Sequence, residues 1–228
     1  MKRNVQPEIL DTLSPGDPRA VHSRRDLRRI NWWMRHHAIM AQALGKNLSA
    51  PPKTITELGA GDGDFLLRLA QEIQMMGEFS KVRATLLDLQ PNVSALTLKA
   101  FEQLGWRASA TVTDVFDWPP IASDLVIANL FLHHFEDARL AELLRLVSER
   151  TNLFIALEPR RARWPLFCSR LLWAIGCNDV TRHDAVVSIR AGFANREISA
   201  LWPDQKNWLL TEHRSGLFSH LFIARRRE

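Results

Sequence analysis

The chain has 228 residues, which argues for one large domain or one domain with appendages. Hydrophobic residues make up 46% and charged residues 24%, a balance that excludes a disordered, collagenous or low-complexity chain. Thirty Lys and Arg against 25 Asp and Glu give a net charge of +5 and a pI near 9.8, so nucleic acid, a membrane surface and an anionic substrate all stay open as partners. Cys168 and Cys177 stand apart from any Cys or His cluster, which excludes a zinc ribbon or a disulfide scaffold and points to a reducing, cytosolic compartment.

The first residues carry Lys2 and Arg3 but then Glu8, Asp11 and Asp17, where a secretory leader would need an apolar core. No apolar run is long enough for a transmembrane segment, because the greasiest stretch, Trp164 to Cys177, is interrupted by Ser169 and Arg170. Pro7, Pro15, Gly16 and Pro18 make residues 1–23 read as an irregular lead-in without packed structure. From Ser23, taken as an N-cap, to Leu44 the pattern predicts one helix. Leu27, Ile30, Met34, Ile39 and Ala43 form its apolar stripe, Arg24, Arg25, Arg28, Arg29 and Arg35 a basic face, and Gly45 its stop. Pro51 and Pro52 then separate residues 1–50, a cap or lid, from a main domain at 51–228.

The main domain alternates. Strands are expected at Thr54–Leu58, Val82–Asp88, Trp106–Val112, Leu125–Ala128 and Leu153–Leu157, with helices at Asp64–Met76, Val93–Leu104 and Ala138–Glu149 between them. Such a beat predicts an α/β fold with a mostly parallel sheet, helices on both faces, and ligands at the carboxyl ends of the strands. A helical insertion at about 160–203 follows, with an apolar helix Pro165–Ile175 and shorter ones at Asp184–Ala191 and Asn195–Trp202. Strands around Trp208–Glu212 and Leu217–Ala224 flank Ser215-Gly216 and read as an antiparallel hairpin.

Where the first strand gives way to a helix stands Glu57-Leu58-Gly59-Ala60-Gly61-Asp62-Gly63. It fails the dinucleotide spacing, since Asp64 and Leu66 occupy the positions where a third glycine is needed. Glu57, Asp62 and Asp64 would repel a phosphate, so a cationic ligand suits the loop better. With Asp88 closing Thr85-Leu86-Leu87-Asp88, Thr113-Asp114-Val115-Phe116, and Asp124-Leu125-Val126-Ile127-Ala128-Asn129, these segments resemble the class I S-adenosylmethionine-dependent methyltransferases over residues 53–159. That resemblance implies a Rossmann-like seven-stranded sheet and S-adenosylmethionine as cofactor. It places Glu57, Gly59, Ala60, Gly61 and Gly63 under the methionine part and ribose, and Asp88 on the ribose hydroxyls. Asp114 and Val115 would take the adenine edge, Leu89 and Phe116 its faces, and Asn129 and Leu130 would lead to the methyl-transfer site. No metal is implied.

Displacement at a sulfonium asks the protein to align a nucleophile and, for a hydroxyl, to take its proton. His133 and His134, in Leu132-His133-His134-Phe135, are the base candidates, with His36, His37 and His183 behind them; a similar run in the quinone-biosynthetic, small-molecule branch of the family shapes the pocket. Amine methylases of nucleobases place two prolines and an aromatic after this strand, and Asn129-Leu130-Phe131-Leu132 has no proline. The expected acceptor is therefore an oxygen, less readily a carbon, of an aromatic or lipid-like small molecule, with Trp32, Trp33, Trp164, Phe167 and Trp173 as a lid over it. The arginine face admits three readings: solvated surface, a dock for anionic lipid or an acyl-carrier partner, and an RNA contact that would make the chain an RNA methyltransferase. A non-catalytic cofactor-binding module is a further alternative.

Overall fold

The computed structural model of the chain describes residues 1–14, 16–75, 79, 81–90 and 92–227. Met76, expected as the last residue of a helix, and Pro15 and Pro91, expected as chain breakers, lie outside the described residues. In chain order the elements are α1 (Ile9–Thr12), α2 (Pro18–Met34), α3 (His36–Asn47), β1 (Thr54–Leu58), α4 (Asp64–Gln74), β2 (Arg83–Asp88), α5 (Ala95–Gln103), β3 (Arg107–Val112) and β4 (Leu125–Asn129). These are followed by α6 (Asp137–Ser148), β5 (Leu153–Pro159), α7 (Arg163–Ser169), α8 (Asp179–Ala191), α9 (Glu197–Leu201), β6 (Trp208–Ser215) and β7 (Ser219–Arg226).

The seven strands form one sheet in the order β3-β2-β1-β4-β5-β7-β6. Strands β1 to β5 pair in parallel, and β7 inserts antiparallel between β5 and β6. The order reverses between β1 and β4, the switch point where an open α/β sheet leaves a crevice. Central strands β4 and β5 are buried along their whole length, as expected of strands covered on both faces. Their residues alternate between two cores. Ile55, Ile127 and Ile155 face a layer with Met40, Leu44, Leu66 and Phe101, whereas Val126, Ala128 and Phe154 face Leu140, Leu144, Phe193 and Trp202 on the other side. Helix α4 reaches the first layer through buried Leu66, Leu69, Ala70 and Ile73, the spacing of one helical stripe.

The N-terminal part departs from expectation. Residues 1–8 are irregular, as expected, but are tied to the domain, and α1 and the start of α2 fall within the stretch expected to lack packed structure. Arg3 donates to the carbonyls of Ala191 and Phe135, both at 2.8 Å, and to Asp137 at 2.7 Å, and its guanidinium lies over the Phe193 ring. Asp184 accepts from the Ile9 and Leu10 amides at 2.9 Å, tying α1 to α8. The expected single helix is two. Helix α2 starts at Pro18, with Asp17 as its cap, and ends at Arg35, which adopts the left-handed conformation at φ 52. Ser23 is no cap: its hydroxyl is buried and accepts from Thr181. The fully buried face of α2 is Ala20, Ser23 and Asp26, while Leu27, Ile30 and Met34 are half-buried. Small and polar residues replace the expected apolar stripe because α2 meets α8 through hydrogen bonds from Thr181 and Asn178. Gly45 lies inside α3 and does not end it.

The insertion differs too. The expected helix Pro165–Ile175 is the seven-residue α7 followed by a 3₁₀ turn at Leu172–Ile175, and α8 begins earlier than expected, capped by Asn178. Both cysteines are free thiols. Among the described residues no helix is long and apolar enough to cross a membrane.

Candidate active site

A cleft of about 640 Å³ opens at the switch point, lined on one side by the β1–α4 loop and the ends of β2 and β3, and on the other by α2, α3 and the turn after β4. The loop is pinned to the sheet, since the Gly59 and Ala60 amides both donate to the Leu87 carbonyl, at 2.9 and 3.0 Å. Gly59 has φ +68, and a Cβ there would stand 2.2 Å from the Phe131 ring, so a side chain is barred by both backbone and neighbour. At Gly61, φ +55, a Cβ would meet nothing within 4 Å; its open side belongs to the cleft, where a ligand approaches bare backbone. Asp88 Oδ2 accepts from the Gly61 amide at 2.8 Å and Oδ1 from the Gln90 amide at 2.9 Å, which fixes the carboxylate and leaves each oxygen a lone pair for a hydroxyl.

The carboxylates of the loop are not equivalent. Asp62 is paired with Arg28 of α2 at 2.8 Å, and Asp64 with Arg68 at 2.6 Å. Glu57 is buried and its Oε2 has no partner. Burial first, then the negative charges of Asp62, Asp88 and Asp64, push its carboxyl well above the ordinary range. Asn31 Oδ1 is also buried without a partner, and both residues line the cleft. Two orphaned acceptors beside an open glycine are complementary to an ammonium donor, and a cation arriving there would restore the Glu57 charge. The residues present fit S-adenosylmethionine: the orphaned acceptors would suit its ammonium and the Asp88 carboxylate its ribose hydroxyls.

At the far end of the cleft the expected adenine contacts are Leu89, Asp114, Val115 and Phe116. Asp114 Oδ1 caps the following 3₁₀ turn through the Phe116 amide at 2.9 Å. Val115 is buried and Leu89 exposed. One face of Phe116 is covered by the Arg139 guanidinium, 3.4 Å from the ring centroid, and Phe135 packs T-shaped against it, so at most one face of the ring is open to a ligand.

The opposite wall is built from residues far apart in sequence. The break at Arg35 turns His36 into the core, fully buried, with Nδ1 2.7 Å from Asn129 Oδ1 and Nε2 2.7 Å from Ser219 Oγ. Because an amide oxygen only accepts, Nδ1 carries the proton and Nε2 accepts from Ser219. Burial lowers the imidazole to about 4 despite the Asn129 hydrogen bond and the nearby Glu158 charge, so His36 is neutral near pH 7. Asn129 is thereby committed to holding α3. After it Leu130 sits at φ 54, a strained position for a branched side chain, and the chain turns so that Phe131 covers Gly59.

Glu158, at the end of β5, holds this turn. Its Oε1 accepts from the Phe131 and Leu132 amides at 3.0 and 2.8 Å, and its Oε2 from His133 Nδ1 at 2.8 Å. On the other ring nitrogen of His133 stands Glu8, at 3.4 Å, itself taking the Ser188 hydroxyl. Burial would depress the His133 imidazolium, yet the hydrogen bonds and charges of Glu158 and Glu8 outweigh it and raise it to about 9. Glu8 is correspondingly brought down to about 2 by His133, against its own burial. His133 is thus a charged strut outside the cleft wall, with no free lone pair, which removes the geometric basis for the base role expected of it. The donor atoms of Glu8, His133 and His134 lie within 4.8 Å of one another; in that grouping the His133 proton already serves as the bridging cation. His134 does line the cleft, with Nδ1 3.4 Å from Asp11 Oδ2. His37 lies 3.9 Å from Glu72, and His183 sits beside Asp184 on α8.

Of the aromatics expected to form a lid, Trp32 reaches the cleft wall, whereas Trp33, Trp164, Phe167 and Trp173 are exposed to solvent and are not among the residues lining it. Trp33 stands near the exposed end of α2, and short α7 with the 3₁₀ turn behind it carries Trp164, Phe167 and Trp173 outward. Asn31, Glu8 and Glu158 were not singled out as site residues from the sequence, and Arg28 was read only as part of the basic face. Only Glu158 carried a signal there, as a carboxylate at the end of an otherwise apolar strand.

Residues 55–151 match the family described as a methyltransferase domain. Among solved structures, the plantazolicin methyltransferase BpumL in complex with SAH superimposes with a TM-score of 0.66 at 12% identity, over 93% of this chain and 92% of that one. A putative O-methyltransferase from Nostoc punctiforme gives 0.63 at 17% identity, over 99% of this chain and 64% of that one. The mitomycin 7-O-methyltransferase MmcR gives 0.63 at 17%, over 96% and 60%, so this chain spans less than two thirds of these two proteins. No curated protein matches it by sequence. The loop, the strand order and the cleft agree with these likenesses in fold, and residues 55–151 carry the match to a methyltransferase domain.

Proposed function

We propose that the chain methylates an oxygen, and less readily a carbon, of an aromatic or lipid-like small molecule. The observation that carries this reading is the apolar part of the cleft lining, where Leu10, Leu27, Trp32, Phe131 and Phe135 line the same cleft as the half-buried ring of His134. Apolar side chains with a few convergent polar groups are the usual make-up of a small-molecule site. When bound, S-adenosylmethionine supplies an electrophilic methyl group. The work left to the chain is orientation and proton removal. Asp11 Oδ2 lies 3.4 Å from His134 Nδ1, and in this reading the His134 imidazole is the group that would take the acceptor's hydroxyl proton. His133 and Glu158 hold the turn that presents His134, and His36 holds Asn129 beside it. The RNA reading is weaker because Arg28 and Arg29 are engaged within the chain. With both thiols free, a cytosolic setting is kept as part of the same proposal.

The test offers labelled methyl donor with phenols, hydroxyquinones and RNA to the purified chain and to His134→Ala. Labelled aryl methyl ethers are expected, with kcat falling about 10²–10⁴-fold in the variant at unchanged affinity for S-adenosylhomocysteine. Label in RNA, or no turnover across the panel while cofactor still binds, overturns the reading.

A further inference from the structure

The chain has eight tryptophans, and they divide cleanly. Trp106, Trp118, Trp202 and Trp208 are at most 4% exposed, whereas Trp32, Trp33, Trp164 and Trp173 are between 55% and 74% exposed. All four exposed ones fall on two segments, the carboxyl end of α2 and the stretch from α7 through the 3₁₀ turn. These segments adjoin. Arg29, one helical turn before Trp33, donates to the Ile175 carbonyl at 3.1 Å, and Asn178 bonds the Arg19 carbonyl and Asp26. Phe167 stacks on Trp164 at 5.7 Å and is itself half exposed.

Within these two stretches the charge has one sign. No Asp or Glu occurs between Glu158 and Asp179, nor between Asp26 and Glu57, and the Asp26 side chain is fully buried. Arg25, Arg35, Arg163 and Arg170 are exposed within the same two stretches. Indole rings that are apolar in body and polar at one edge, beside guanidinium groups on long stems, suit the headgroup boundary of a bilayer.

We propose that the α7–3₁₀ segment and the end of α2 form one docking face for an anionic lipid bilayer, on which the protein lies peripherally without crossing it. Aliphatic Leu171 and Ile175, each more than two fifths exposed, favour acyl chains over stacked bases. Trp32 belongs both to this face and to the cleft wall, so docking sets the cleft mouth at the lipid boundary. The docking itself does not depend on which acceptor the cleft takes.

The experiment is co-sedimentation of the full chain with vesicles of phosphatidylglycerol and phosphatidylcholine, and of phosphatidylcholine alone, at low and physiological salt. Binding to the anionic vesicles with a blue shift of tryptophan emission is expected. Arg163→Glu with Arg170→Glu, and separately Trp33→Ala with Trp173→Ala, are each expected to weaken it by at least about tenfold, with melting temperature and S-adenosylhomocysteine affinity unchanged. Three results overturn the proposal: no binding at millimolar lipid, binding indifferent to both variants, or a dimer in the ultracentrifuge that the tryptophan variant dissolves. Failure of methyl transfer to a phenol leaves this outcome untouched.

Discussion

The two walls of the cleft are built in different ways. The cofactor wall is local: residues 57 to 64 fold onto the ends of β1 and β2, and its hydrogen bonds join Gly61 to Asp88 and Gly59 to Leu87. The acceptor wall is assembled from the whole chain, with Glu8, His36, His133, Glu158 and Ser219 meeting in buried polar contacts. One wall leaves an acceptor unsatisfied and so is prepared for a ligand. The other satisfies the buried groups behind the turn after β4 internally, with Asn31 Oδ1 on α2 the exception, and so is prepared to be rigid there. If the contrast is real, breaking the acceptor wall costs stability and turnover, while altering the cofactor wall costs affinity with little loss of stability.

The largest effect is expected at Glu158. Glu158→Gln removes one of the two carboxylates that hold the charged His133 and puts an amide donor among backbone amides, a loss of roughly 3–5 kcal/mol for a broken buried pair. For a domain of this size that lowers Tm by about 10 °C. Thermal melts check it, and calorimetry below the transition should still find S-adenosylhomocysteine bound. A variant that melts like the parent breaks the comparison.

Next in size is a pH dependence. His36 falls to about 4 in the folded chain from an ordinary value of 6.5, so the unfolded chain binds the extra proton between those values and stability declines as pH falls through that window. The full swing is about 3 kcal/mol. The strut behaves oppositely: with His133 raised to about 9, its contribution is complete below 6.5 and is lost as pH climbs through 9. Urea midpoints measured across pH should therefore fall on both sides of a maximum near pH 6.5, and His36→Gln should flatten the acid limb alone. An unchanged midpoint from pH 6.5 to 4 removes His36 from the account.

These contrasts also decide how much could be read from the sequence. Glycines at positive φ and a carboxylate closing β2 are demands of local backbone, so Gly59, Gly61 and Asp88 stood out, as did the alternation that set the sheet. The lead-in did not, because Arg3 and Glu8 gain their partners on α6, α8 and the turn after β4, more than a hundred positions away. The expected apolar stripe of α2 misled for a related reason: its buried face is joined to α8 by hydrogen bonds, and hydrophobic periodicity does not register Ser23 or Asp26 as interior. The tryptophans of α7 looked like a lid, but a seven-residue helix with a 3₁₀ turn behind it presents them to solvent.

On the cofactor wall, Glu57→Gln isolates charge from shape. The variant keeps the volume but cannot ionise toward the ammonium, and a loss of about 10–100-fold in affinity for S-adenosylhomocysteine is expected. Since burial and three neighbouring carboxylates oppose the Glu57 charge in the free chain, the same change should raise Tm slightly above neutral pH. Calorimetry and melts on one preparation settle both. A fall in Tm with unchanged affinity would make Glu57 a structural residue.

The smallest effect tests whether the walls communicate through Arg28. Its pair with Asp62 is 2.8 Å long, but both side chains are more than a third exposed, so Arg28→Ala should cost only about 0.2–1 kcal/mol of stability. Its electrostatic consequence is more telling. Unpaired, Asp62 adds negative charge to a loop that faces a sulfonium in S-adenosylmethionine and a neutral sulfur in S-adenosylhomocysteine. The ratio of their dissociation constants should shift toward the methyl donor by a few-fold at low salt and return toward the parent value near 1 M salt, where the screening length is about 3 Å. A ratio unmoved at low salt would mean that Arg28 serves only to fasten α2 to the loop, leaving the cofactor wall electrically independent of the helix that covers it.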